Sequence, residues 1–94
     1  MIKKRGKHYL EIAAIKGHAK SRHMLGTIES KLGNDIRAAK HWIIAAEAGL
    51  DDSLEEIRKC YMQGIVSKDD YAKTLRVHQK SKDKQESKNR ANEL

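Results

Sequence analysis

Apolar side chains recur along this chain at three- and four-residue intervals, and glycines fall where that rhythm lapses. The spacing predicts five helices. The first covers about residues 4–16, with Tyr9, Ile12, Ala13 and Lys16 on one stripe, and Gly17-His18 ends it. The second covers about 19–32 and is expected to bury Ser21, Met24, Leu25 and Ile28. Gly33-Asn34 is a turn signal, with Asn34 or Asp35 available to cap a third helix over 35–48. Ala39, Trp42, Ile43 and Ala46 form its buried stripe. After Gly49-Leu50, the pattern Asp52-x-x-Glu55 resembles a capping box opening a fourth helix over 52–63. Gly64 closes that helix, and Ser67-x-x-Asp70 opens a fifth with Tyr71, Leu75 and His78 on one face. Past Gln79 almost nothing is apolar, so residues 80–94 read as a charged tail: helix to about Lys84, then fraying or disorder.

A faint echo overlies this pattern. Ala13-Ala14-x-x-Gly17 returns as Ala45-Ala46-x-x-Gly49, and the same offset carries Ser21, Leu25 and Ile28 onto Ser53, Ile57 and Cys60. A fixed offset of this length marks a repeat array, whose units cannot bury their apolar faces alone. Turns of two to four residues between helices of this length favour antiparallel neighbours. The expectation is therefore an all-α, right-handed α-solenoid of helix pairs, in which Ala13, Ala14, Gly26, Ala38, Ala45 and Ala46 permit close backbone approach.

Composition narrows the picture. With 94 residues, 38% of them apolar, no Phe and a single Trp, the chain makes one small domain with a thin core. Proline is absent, which fits helices joined by glycine turns. The lone Cys60 excludes an intramolecular disulfide and sits among Ile57, Tyr61 and Met62, as a buried thiol would. Trp42–Ala46, the longest nearly apolar stretch, is too short to span a bilayer, and no hydrophobic run follows the basic start, so an intracellular, cytoplasmic protein is the expectation. Of the formal charge of +7, residues 1–7 contribute four basic groups and no acid; residues 80–94 add a net +2, leaving the body nearly neutral. The basic ends could touch phosphate, or Lys3, Lys4, Arg5 and Lys7 direct the chain to the nucleus, but the body lacks the basic stripe of a nucleic-acid reader.

No catalytic or metal constellation emerges. His18 and His23 straddle the expected turn; His8, His41 and His78 lie on other helices, and no zinc-like spacing links them to carboxylate or thiol. Asp51, Asp52, Glu55 and Glu56 occupy a helix start, where carboxylates offset unmatched N–H groups. Trp42 and Tyr61 fall on buried stripes and read as core anchors. No phosphate loop or nucleophile elbow is present, so neither enzyme nor cofactor is expected. The first helix, alanine-rich on its apolar face, does not argue for a membrane.

The spacing resembles that of Sel1-like repeats, longer relatives of tetratricopeptide repeats, and in texture is similar to divergent algal arrays. Ser21 stands at the unit's first small position; Leu25-Gly26, Gly33, Asp35, Ala39, Trp42, Ala45-Ala46 and Gly49 follow, with Ser53, Ile57, Tyr61, Gly64, Asp69 and Ala72 resembling the next unit. Arg58 replaces that unit's glycine, and Glu29 stands where an aromatic is usual. The resemblance covers residues 8–79, with 1–7 a basic extension. It implies a non-catalytic protein-interaction scaffold binding a partner peptide or helix on a concave face. Lys20, His23, Thr27 and Lys31 of one unit and Asp52, Glu55, Lys59 and Met62 of the next would line that face. An opening helix without its pair further implies either self-association through the first helix or a missing upstream partner. The competing expectation is a small nucleic-acid-associated helical protein using its basic termini.

Overall fold

The computed structural model describes the backbone over residues 4–93 and side chains over 17–85, and the chain there is helical throughout, with no strand among the described residues. Four helices follow one another: α1 (Lys4–Lys31), α2 (Asp35–Glu47), α3 (Asp51–Met62) and α4 (Lys68–Glu93).

Three glycine terminators end α1, α2 and α3 in the same way. Gly33, Gly49 and Gly64 take φ of 83°, 103° and 79°, the left-handed region that side chains resist. The residue after each glycine donates its N–H five residues back, Asn34 to Glu29 O at 2.8 Å, Leu50 to Ala45 O at 3.2 Å and Ile65 to Cys60 O at 2.9 Å. Each glycine N–H bonds three residues back, completing the closure that satisfies carbonyls stranded at a helix end.

The expected break at Gly17-His18 does not occur, so the first two predicted helices are one. Gly17 has no left-handed φ, and a Cβ placed on it would meet nothing within 4 Å. Helical glycine costs about 1 kcal/mol relative to alanine. A break would strand several backbone groups at two new helix ends, each a larger loss when unsatisfied. The predicted stripe Tyr9, Ile12, Ala13 and Lys16, and the small positions Ala13 and Ala14, lie outside the described side chains.

The buried face of α1 also differs from expectation. Ser21 is exposed, and Met24, Leu25 and Ile28 are 63%, 46% and 52% exposed. Ala19 and Gly26 are buried instead, with His23 and Thr27 half-buried beside them. Trp42 decides the matter. Its indole lies against the bare Cα of Gly26, where a Cβ would stand 2.6 Å from Nε1, and that Nε1 donates to His23 O at 3.2 Å. Burying so large a ring outweighs burying Leu25 and Ile28, and only the small-residue side of α1 admits it.

The core is Ala38, Ala39, Trp42, Ile57, Cys60 and Val66, with Ile43, Ile65 and Tyr71 packed on it. Ile57 is fully buried, worth about 1.5–3 kcal/mol against an exposed position. α2 is the central element and touches all three others. Trp42 is the buried anchor expected, whereas Tyr61 is half-buried and stacks on Tyr71 with ring centroids 5.0 Å apart. On α4, Thr74 and His78 are buried, but Leu75 is 39% exposed, contrary to its predicted stripe. Ser67 caps α4 by accepting the Asp70 N–H at 3.1 Å. The other predicted caps are not made. Asn34 sits at the N-cap of α2 without a side-chain cap and donates to Glu29 instead. Leu50, not Asp52, is the N-cap of α3.

The sequence echo joins unlike environments. Ser53, Ile57 and Cys60 are buried where Ser21, Leu25 and Ile28 face solvent. Gly49 turns the chain where Gly17 lets it run straight on.

Candidate functional site

The two helices expected to present a binding face are tied together by a polar bridge. His23 Nδ1 of α1 and Ser53 Oγ of α3 share a 2.7 Å hydrogen bond, with Ser53 fully buried and the imidazole tilted against Trp42 at 6.2 Å. A serine beside a histidine resembles a nucleophile with its base. Enclosed on all sides, however, this hydroxyl can attack nothing, and the pair acts as a tie between helices. Thr27 also turns inward, its Oγ1 donating to His23 O at 3.2 Å.

The remaining six residues of the expected face are solvent-exposed: Lys20 and Lys31 on α1, and Asp52, Glu55, Lys59 and Met62 on α3. Glu55 is held by Arg58 through contacts of 2.6 and 3.0 Å, which lowers its carboxyl pKa. Lys59 lies 3.4 Å from Glu56. Met62, at 72% exposure, is the one large apolar side chain among them.

A second polar cluster was not foreseen as a unit. His78 of α4, 8% exposed, donates from Nε2 to Asp51 Oδ1 at 2.8 Å, and Lys82 donates to Asp51 Oδ2 at 3.0 Å. The bonds from Lys82 and His78 hold the Asp51 carboxyl below its ordinary value of 3.8. One turn further on, Ser81 Oγ donates to Glu47 O, and Gln85 Nε2 to Ala48 O at 3.0 Å. The face His78, Ser81, Lys82 and Gln85 thus clamps the end of α2 and the start of α3. Residues 81, 82 and 85 of the charged tail are structural contacts. Their i, i+3, i+4, i+7 spacing with His78 was the available signal, and it was polar where an apolar stripe is usually sought.

Neither cluster converges on a reaction centre. A shallow cavity of about 320 Å³ beside the clamp is lined by Lys20, Asp51, Asp52 and Lys82, two cations set against two carboxylates. Of the other histidines, His18 is exposed and His41 Nδ1 accepts from Arg22 at 3.4 Å. No group of three or more His, Cys, Asp or Glu side chains assembles a metal site among the described residues. Cys60 is buried, and desolvation, with Glu56 and Asp35 nearby, raises its thiol pKa. No helix of the described residues is long and apolar enough to cross a membrane. In comparisons with known proteins, the chain matches no family model, no curated protein and no solved structure.

Proposed function

We propose that this chain is a non-catalytic protein-interaction scaffold of the Sel1-like kind, a short α-solenoid whose glycine turns send each helix back along its predecessor. A partner peptide or helix lies across the face shared by α1 and α3. The observation that carries this reading is the His23–Ser53 bridge. It joins α1 to α3 at one point, while Lys20, Lys31, Asp52, Glu55, Lys59 and Met62 are left to solvent. Charges of both signs around one exposed methionine suit a polar segment with an apolar anchor. The bonded networks elsewhere are absorbed in holding helices together, which leaves surface rather than pocket for function.

The test is a photo-crosslinking residue at position 59 of the full chain in its native cells. A protein adduct is expected, lost in Lys31→Glu and Glu55→Lys but kept when Lys3, Lys4, Arg5 and Lys7 are changed to glutamine. The competing reading, attachment to nucleic acid through the basic ends, predicts the reverse. Duplex-DNA affinity would then fall with those four glutamines and ignore Glu55→Lys.

A further inference from the structure

The outer face of α1 is apolar and uncovered. Met24, Leu25, Ile28 and Leu32 are 46–69% exposed, and an open groove of about 630 Å³ joins Leu25 to Ile44 of α2, itself 50% exposed. We infer that a second copy of this chain covers this face, the two α1 helices pairing antiparallel about a two-fold axis beside Gly17-His18. The inference rests on the antiparallel pairing of α2 and α3 proposed above and concerns the α1 stripe that adjoins Lys20 and Lys31 of the partner surface.

Two observations converge on that occupant. The first is the echo. On α3 the positions matching Ser21, Leu25 and Ile28 are Ser53, Ile57 and Cys60, and α2, which turns back at Gly49, helps to bury Ile57 and Cys60. The segment of α1 matching α2 ends at Gly17, but α1 runs straight through that glycine. It therefore cannot fold back onto its own second half while α1 stays whole. The same segment of another copy, running antiparallel, can reach that half, and the contact is reciprocal.

The second observation is register. Residues 17, 21, 24 and 28 share one face of α1 at intervals of four and three, the spacing of a helix-pair seam, and Leu10 and Ala14 continue that spacing in the sequence. Counting outward from Gly49 sets Trp42 opposite Ile57 and Ala46 opposite Ser53. The same count from Gly17 sets Leu10 opposite Leu25 and Ala14 opposite Ser21. In a two-fold pair that count places the axis beside Gly17-His18.

The experiment is sedimentation of the full chain, with His18→Cys and Leu32→Cys variants oxidised in parallel. A dimer is expected, weakened at least tenfold by Ile28→Glu and by Leu25→Glu, with far-UV CD and Trp42 emission unchanged. His18, beside the axis, should give a disulfide-linked dimer when replaced by cysteine. Leu32, far from its own copy in the antiparallel register, should not. A strict monomer overturns the inference, as does a dimer indifferent to Ile28→Glu, or one linked as readily through Leu32→Cys. None of these outcomes bears on position 59, so the two proposals fail separately.

Discussion

Replacing Gly26 with alanine sets two opposed effects against each other, and the structure fixes the sign. Alanine in place of helical glycine stabilises by about 0.5–1 kcal/mol. At Gly26, however, the new Cβ would stand 2.6 Å from Trp42 Nε1, 2.7 Å from Cδ1 and 3.0 Å from Cε2. Non-bonded carbon contacts settle near 3.5–4.0 Å, so ring or helix must retreat by roughly 1 Å. The indole has little room: it is 6% exposed and bound to His23 O. Overpacking of this kind costs about 1–3 kcal/mol, and losing the indole hydrogen bond about 1 kcal/mol more. The net expectation is a loss of about 1–3 kcal/mol, or a Tm lower by roughly 5–20 °C for a domain of this size. Thermal melts followed by CD give the magnitude, and emission of the single Trp reports the displacement directly. Gly17→Ala, at a site with open space around it, supplies the control and should raise Tm in dilute solution. A Gly26→Ala protein as stable as the parent, with unchanged emission, would refute the close approach of α1 and α2.

Other consequences are smaller but distinct in sign. Because Asp51 titrates lower in the folded state than unfolded, its contribution is present above its ordinary value of 3.8 and lost as pH falls through the depressed folded value. Asp51→Asn should therefore lower stability near neutral pH by only about 0.2–1 kcal/mol, since Asp51 is largely exposed, and the difference should vanish in urea titrations at strongly acid pH. Gln85→Ala removes the bond to Ala48 O and should cost about 1 kcal/mol by the same titration, without loss of helicity in α2. Cys60, buried and with its thiol pKa raised, should resist a thiol-specific reagent in the folded protein and react promptly in urea. Fast native labelling would mean that the α2–α3 contact opens freely.

Much of the helical layout was legible because its punctuation is local. Gly33, Gly49 and Gly64 end helices through bonds to the preceding turn, so chemistry within six residues decides them. Gly17 misled for the same reason: nothing nearby distinguishes a terminating glycine from one carried through a long helix. The face of α1 was misread because periodicity weighs residues by hydrophobicity alone. Ser21, Met24, Leu25 and Ile28 make the greasier stripe, yet the absent side chain of Gly26 is what the indole of Trp42 requires, a fact that lives on another helix. The ties His23–Ser53 and Asp51–His78 join residues 30 and 27 positions apart, beyond the reach of any spacing rule. For the candidate face, exposure of the six α1 and α3 positions could be expected from pattern. The inward turn of His23 and Thr27 could not.

α1 and α3 meet at the His23–Ser53 bridge, and Trp42 of α2 is locked against Gly26 of α1. Nuclear Overhauser contacts in solution test this most directly. The account predicts cross-peaks from the His23 ring to the Ser53 β protons and from the Trp42 Hδ1 proton to the Gly26 α protons. A well-dispersed spectrum lacking both, with the Trp42 indole proton exchanging freely with water, would contradict it.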